Sequence, residues 1–314
     1  MPPLSIITLL LLWVLATPWL AAQNQDQPKA SVPTTPAATP LIPEKENTVV
    51  GWLDIIPFTS KIFHNTRMLR VWVPGNYFSP HNAHRKYPVF YMQDGQNLFD
   101  KATALNGEWQ LDETADHLIG SFQIGQMFIV GIDNAGDAHQ RAIEYLPYPD
   151  SLDPQSPGTE EVRGKDYAKF LITEVMPFLE RRYRIATGAV NTGIGGSSYG
   201  AVVSLYTALH YPGVFGRALI ESPILEIGNG QILNDAERAT QLPQKMYIGV
   251  GTEEGRDART SAEFVKSVED LDKILRARGM GPTRLKVVVE EGGHHNEATW
   301  SKRLPEAMLF LYGR

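Results

Sequence analysis

Gly195-Gly196-Ser197-Ser198-Tyr199-Gly200, followed at once by Ala201-Val202-Val203-Ser204-Leu205-Tyr206-Thr207-Ala208-Leu209-His210, is the stretch on which the fold turns. Gly196, Ser198 and Gly200 satisfy G-x-S-x-G, the nucleophile-elbow pattern of a sharp strand-to-helix turn that exposes a serine hydroxyl. Neighbouring backbone passes close to such a turn, so its flanking positions must be small and the serine itself is strained. Val202, Val203, Leu205, Tyr206 and Leu209 then predict a buried helix over Tyr199 to His210. The glycines do not spell G-x-G-x-x-G, because Ser198 stands where the last glycine belongs, and a dinucleotide site is not indicated.

On either side of the elbow, strand and helix patterns alternate without an internal repeat. Arg67 to Val73 and Tyr87 to Met92 are β-rich, Met127 to Ile132 is continuously apolar, and Ala218 to Ile220, Met246 to Val250 and Leu285 to Val289 look the same. Asp166 to Arg182 and Ser261 to Arg278 have helical spacing, the latter through Phe264, Val265, Val268, Leu271, Ile274 and Leu275 and ending at Gly279. This alternation predicts a three-layer α/β domain with a mostly parallel sheet. Ligands of such sheets sit beyond the carboxyl ends of the strands, so the residues just after each strand carry the chemistry.

A serine hydroxyl needs a base, and the base an orienting acid, in the chain order Ser, acid, His for this kind of sheet. After Val250 comes Gly251-Thr252-Glu253-Glu254-Gly255, a carboxylate-bearing loop, and after Val289 comes Glu290-Glu291-Gly292-Gly293-His294-His295-Asn296-Glu297, read as a flexible loop. Ser198, Glu254 and His295 occur in the required order, while local pattern leaves Glu253 beside Glu254 and His294 beside His295 open.

Composition narrows the partners. The 314 residues are 43% hydrophobic, enough for one large core, and carry a net charge of -6 with no basic stripe, which argues against nucleic acid. With no cysteine there is no disulfide, thiolate metal site or cysteine nucleophile. His81-x-x-His84 lacks a third ligand at metal spacing, so neither metal nor organic cofactor is expected. Leu4 to Ala16 is an apolar run of signal-peptide length, with Ala21 and Ala22 available for processing, and residues 1–22 are read as a leader directing export to the periplasm or outside the cell. Retained, the same run would act as a membrane tether. Residues 23–47, with Pro28, Pro33, Pro36, Pro40 and Pro43, read as an extended linker, and the folded domain is expected over 48–314. The pattern specifies no oligomeric state.

Several segments together resemble the esterase family of α/β hydrolases, which includes enterochelin and salmochelin esterases, feruloyl and acetyl-xylan esterases, S-formylglutathione hydrolases and mycolyltransferases. They are Tyr87-Pro88-Val89-Phe90-Tyr91-Met92-Gln93-Asp94-Gly95-Gln96-Asn97-Leu98-Phe99-Asp100, Gly131-Ile132-Asp133-Asn134 with Arg141 and Glu144-Tyr145, Gly195 to Ala201, and Gly293-His294-His295-Asn296-Glu297 with Trp300. The resemblance implies the α/β-hydrolase fold, Ser198 as nucleophile, Glu254 as acid and His295 as base. It implies an oxyanion hole from the backbone N–H groups of Gln96 and Tyr199. Tyr199 and Ala201 depart from the family's usual G-S-S-M-G-G elbow, and Asn296 and Glu297 stand where many members have an aromatic, which bears on pocket shape rather than on reaction class. The substrate groove is expected to involve Asp94, Gly95, Tyr145, Ser222 and Trp300, walled by Gly136 to Lys165 as a lid and by Ser222 to Gln244. Asp112 and Glu113 are read as a helix start with a packing role. The expected substrate is a small-molecule or saccharide ester: a siderophore trilactone or a carbohydrate or hydroxycinnamoyl ester. Acyl transfer by the same triad and a catalytically silent binding module are the alternatives.

Overall fold

The computed structural model describes residues 47–149 and 161–314. The expected leader and all of the linker but Asn47 lie outside the described residues, as does the 150–160 part of the expected lid. Among the described residues no helix is long and apolar enough to cross a membrane.

Among the described residues eight strands form one sheet: β1 (Trp52–Thr59), β2 (Thr66–Val73), β3 (Val89–Gln93), β4 (Phe128–Ile132), β5 (Thr192–Ser197), β6 (Arg217–Glu221), β7 (Lys245–Glu253) and β8 (Leu285–His294). Their order is β1-β2-β4-β3-β5-β6-β7-β8. β1 and β2 pair antiparallel, β2 runs antiparallel to β4, and every pairing from β4 to β8 is parallel. The continuous apolar runs follow from burial of both faces: Val89 and Tyr91 enter one core while Phe90 and Met92 enter the other. Each such side chain contributes on the order of 1.5–3 kcal/mol when fully buried.

The helices are α1 (Leu111–Gly120), α2 (Ala138–Tyr145), α3 (Gly164–Phe170), α4 (Met176–Arg182), α5 (Tyr199–His210), α6 (Ile227–Arg238), α7 (Ala258–Ala277) and α8 (Glu297–Tyr312). α1 and α8 pack together against one face, and the chain α2-α3-α5-α6-α7 covers the other. This is the expected three-layer α/β-hydrolase arrangement.

Three local features differ from the sequence reading. The helix expected over Asp166 to Arg182 is interrupted by a π turn, Leu171–Val175, just before Pro177, whose missing N–H removes a regular helix bond. β1 and β8, the two edges of the sheet, lack the continuous burial of the strands between them, so the Leu285 to Val289 run expected to be buried on both faces is only partly covered. The glycine-rich Glu290 to His294 stretch is strand rather than flexible loop. A Cβ on Gly251 would lie 2.1 Å from the Gly293 carbonyl oxygen, so these glycines permit close backbone approach at a bulge between β7 and β8.

Candidate active site

β3, β5 and β6 lie side by side, and each is followed by a non-glycine residue with left-handed backbone: Asp94 (φ 56°), Ser198 (φ 56°) and Ser222 (φ 47°). Such conformations cost about 1–3 kcal/mol each and persist only where surrounding structure imposes them. For Ser198 the restraint is direct. Its N–H donates to the Glu221 carbonyl at 3.0 Å, and its own carbonyl accepts from Ala201 and Val202 as α5 begins. The turn thus presents the Ser198 side chain to a cavity of about 350 Å³.

The expected base and acid lie just beyond the next two strands. β7 ends at Glu253 and β8 at His294, and these two residues pair across the sheet with exposed side chains. The following residues turn inward. His295 Nδ1 lies 3.0 Å from Glu254 Oε2, the Glu254 side chain is fully buried, and His295 lines the Ser198 cavity. The one-residue offset separates each adjacent pair: Glu254 and His295 form the buried couple, whereas Glu253 and His294 form a solvent-facing one. Phe264 stacks beside the imidazole and Trp300 meets it edge-on, fixing the ring. His295 is held by Glu254 through Nδ1, which leaves Nε2 as the ring nitrogen not engaged by that carboxylate.

Behind Glu254 lies a polar network that the sequence reading did not anticipate. Glu254 Oε1 accepts from the Gly251 N–H at 2.6 Å and from Ser222 Oγ at 2.5 Å, and Ser222 Oγ in turn accepts from Trp300 Nε1 at 2.8 Å. Arg303, one helical turn beyond Trp300, is anchored by Glu221 at 2.6 Å and Glu290 at 3.0 Å. Burial pushes the Glu221 carboxyl up to about 7 against the opposing pull of Arg303. The dipeptide Glu221-Ser222 therefore holds the Ser198 amide through the Glu221 carbonyl and the Glu254 carboxylate through the Ser222 hydroxyl. The available signal was the three-residue spacing of Trp300 and Arg303 on an amphipathic helix, but it does not say what the buried face touches.

The expected oxyanion loop follows β3. Asp94 is buried, its carboxylate engaged by Arg141 Nε at 2.7 Å, Arg141 Nη2 at 2.8 Å and Asn134 Nδ2 at 2.7 Å. Burial works against the Arg141 charge, yet Asp94 holds it protonated above the usual range. Gly95 is pressed against β4, where a Cβ would lie 2.6 Å from the Gly131 carbonyl carbon. This close packing brings Gln96, and with it the loop, to the Ser198 cavity. Tyr199 begins α5 directly after Ser198.

Of the residues expected along the substrate groove, Asp94 and Trp300 line the cavity. Gly95, Tyr145 and Ser222 are buried behind its wall: Tyr145 Oη accepts from the Asp94 N–H at 3.2 Å, and Ser222 supports Glu254. The Gly136 to Lys165 segment reaches the cavity through Gly136, Asp137, Ala138 and Arg141, and much of this part is α2 rather than a structureless lid. Ser222 to Gln244 contributes no lining residue; its α6 packs on α5 and α7. Asn97, Asn106, Asn134 and Glu297 complete a polar wall that the sequence reading missed. Burial raises the Glu297 carboxyl, which accepts from Asn97 Nδ2 at 3.1 Å. Asp112 and Glu113 do begin α1, and with Glu108 they form the one carboxylate group among the described residues arranged closely enough for a metal ion, away from the cavity lining.

A mostly parallel sheet whose strand ends bring an elbow serine and a carboxylate-held histidine to one cavity defines an α/β hydrolase. Residues 60–311 match the family described as "Putative esterase", and the chain belongs to that esterase family. Its reaction class is carboxylic-ester hydrolysis by a serine esterase. Among curated relatives, the uncharacterized protein YbbA of Bacillus subtilis (strain 168) is 21% identical over 258 residues, 79% of this chain and 93% of that protein. The BES protein from Bacillus cereus superposes with a TM-score of 0.65 at 17% identity, covering 86% of this chain and 98% of that one. The enterobactin esterase FES from Shigella flexneri, solved in the presence of enterobactin, gives a TM-score of 0.65 at 18% identity, covering 83% of this chain and 59% of that one.

Proposed function

We propose that the chain hydrolyses esters through Ser198, His295 and Glu254, with the Gln96 and Tyr199 backbone N–H groups as oxyanion donors. The observation that carries this is the 3.0 Å contact between His295 Nδ1 and the buried Glu254 carboxylate beside the cavity that Ser198 also lines. His295 removes the Ser198 proton as Oγ attacks the ester carbonyl carbon, and Glu254 stabilises the imidazolium. The oxyanion is held by the two N–H groups while His295 returns the proton to the departing alcohol. Water, deprotonated by the same imidazole, then attacks the acyl carbon, and His295 passes that proton to the departing Ser198 Oγ, releasing the carboxylic acid and restoring the serine.

The substrate class we infer is a siderophore trilactone or a carbohydrate or hydroxycinnamoyl ester. Its support is the polar cavity wall of Gln96, Asn97, Asn106, Asn134 and Glu297, in which the buried Gln96 Nε2 has no hydrogen-bond partner among the described residues and suits an oxygen-bearing group. The enterobactin association of FES points the same way. We also infer export from the Leu4 to Ala16 run, a reading tested by sequencing the N-terminus of the protein recovered outside the cytoplasm. The functional test incubates residues 48–314 and its Ser198→Ala variant with a catecholate trilactone, a feruloylated sugar, an acetylated xylo-oligosaccharide and p-nitrophenyl esters, read by mass spectrometry. Ser198-dependent loss of a natural ester is expected. Ester exchange onto a sugar would instead identify a transferase, and absence of any turnover would overturn the reading.

A further inference from the structure

The parallel sheet has a second cavity at its amino edge, of about 580 Å³, lined by Arg217, Lys245, Arg278 and Arg284 together with Thr240, Gln241, Leu242, Gln244 and Thr283. Arg217 and Lys245 are the first residues of β6 and β7 and register partners; Arg284 immediately precedes β8 and its carbonyl accepts the Met246 N–H. Three adjacent parallel strands, spaced about 4.8 Å apart, therefore each begin beside a cation. Arg278 joins them from the end of α7. Among the described residues no carboxylate lines the cavity, in a chain whose net charge is -6.

Helix ends account for part of this arrangement. Arg217 donates to the Leu311 carbonyl and Lys245 to the Phe310 carbonyl, both 2.8 Å, at the end of α8, and Arg278 donates to the Ala236, Glu237 and Ala239 carbonyls at the end of α6. Arg217 and Lys245 also sit over the Tyr312 and Phe310 rings. A helix C-terminus offers only about half a negative charge. Two such ends do not neutralise four full cations, and Arg284 donates to the Pro243, Gln244 and Gly279 carbonyls of loops. Carbonyl contacts, including that of Arg217 to Val190, satisfy donors and hold the side chains in place; they add no full negative charge to a cavity wall lined by four cations, which a bound anion would supply.

We propose that this amino-edge cavity is a second binding site, distinct from the esterase cavity, for a small soluble oxyanion of the phosphate or pyrophosphate type. The carbonyl-anchored cations are preorganised, which reduces the ordering cost of binding. Thr240, Gln241, Gln244 and Thr283 add neutral donors around them.

The test is calorimetric and thermal titration of the purified full-length protein with inorganic pyrophosphate and with phosphate, against chloride at matched ionic strength. Saturable binding is expected, tighter for pyrophosphate and weakened at least about tenfold in Lys245→Gln/Arg284→Gln through loss of two charges. Lys245→Gln alone, whose amide can still donate to Phe310, serves if the double variant does not fold, and should weaken binding in the same direction. Hydrolysis of p-nitrophenyl acetate should be unchanged in both variants. Equal responses to pyrophosphate and chloride, or full binding by the variants, would overturn the site. Binding to phosphatidylglycerol vesicles without binding to pyrophosphate would overturn its assignment to a soluble anion.

Discussion

The two edges of the parallel sheet are built from opposite materials. At the carboxyl edge, Asp94, Ser198 and Ser222 adopt left-handed backbone at three neighbouring strand ends, and charges there are matched, Asp94 by Arg141 and Glu221 by Arg303. At the amino edge, β6 and β7 begin with Arg217 and Lys245 in ordinary extended structure, and the charge is of one sign. Left-handed backbone recurs at three adjacent strand ends where side chains must be aimed at one point, and it is tolerated there because each of these residues is cross-braced by hydrogen bonds. The amino edge needs no such aim, so the backbone is relaxed.

If the carboxyl edge is the catalytic one, Ser198→Ala or His295→Ala should lower kcat for p-nitrophenyl acetate by about 10⁴–10⁶-fold with little change in Tm. Retained turnover in either would break the contrast outright. Glu254→Gln should cost roughly 10³–10⁴-fold, because the imidazole loses the acceptor that orients it. Glu253→Gln, at the exposed partner position, should stay within about twofold, since such surface changes are usually small. Steady-state kinetics on the pair would show whether the buried offset, rather than the acidic loop as such, carries the function.

Ser222→Ala addresses the bracing itself. We expect kcat to fall by up to about 10²-fold with a smaller effect on KM, as Glu254 loses one of its fixed donors and the triad loosens. The downfield proton resonance of the His295–Glu254 hydrogen bond should broaden or shift, an effect that general destabilisation would not produce. An unchanged resonance and unchanged kcat would reduce Ser222 to packing.

The smallest effect concerns stability. Burial pushes the Asp112 carboxyl up to about 8, with neighbouring Glu113 adding to the rise and the Val50 N–H opposing it. An unfolded Asp titrates near about 3.9, so between roughly pH 4 and 8 the folded state retains a proton that the unfolded state releases. The contribution of this group is fully present below about pH 4 and is lost as pH rises toward 8. Asp112→Asn should therefore flatten the decline of Tm across that window, measured by thermal unfolding at 0.5 pH intervals, while esterase activity at neutral pH stays near wild type. A Tm profile parallel to wild type would show that Asp112 does not carry the proton.

Much of this architecture was legible because it depends on patterns local to the chain. The double-sided apolar runs marked five of the parallel strands, and the glycines around Ser198 with the apolar helix behind them marked the elbow. The bulge at Gly251 and Gly293 was misread because glycine signals either chain freedom or close backbone approach, and only the partner strand decides which. Ser222 and Tyr145 were read as groove residues because a position after a strand or within a long connection says nothing about which side of the cavity wall a side chain occupies.

By itself, the sequence determined the α/β alternation, the elbow at Ser198 and the order Ser, acid, His, since periodicity, turn chemistry and chain order are properties of neighbouring residues. The tertiary structure alone decided that Glu254 and His295, rather than Glu253 and His294, face each other in the buried site. It also decided that Glu221-Ser222 joins the Ser198 turn to Glu254 and that Arg217, Lys245 and Arg284 stand at the starts of three neighbouring strands. These are consequences of strand register between segments tens of residues apart, and register is set by the packing of the whole sheet rather than by any stretch of the chain.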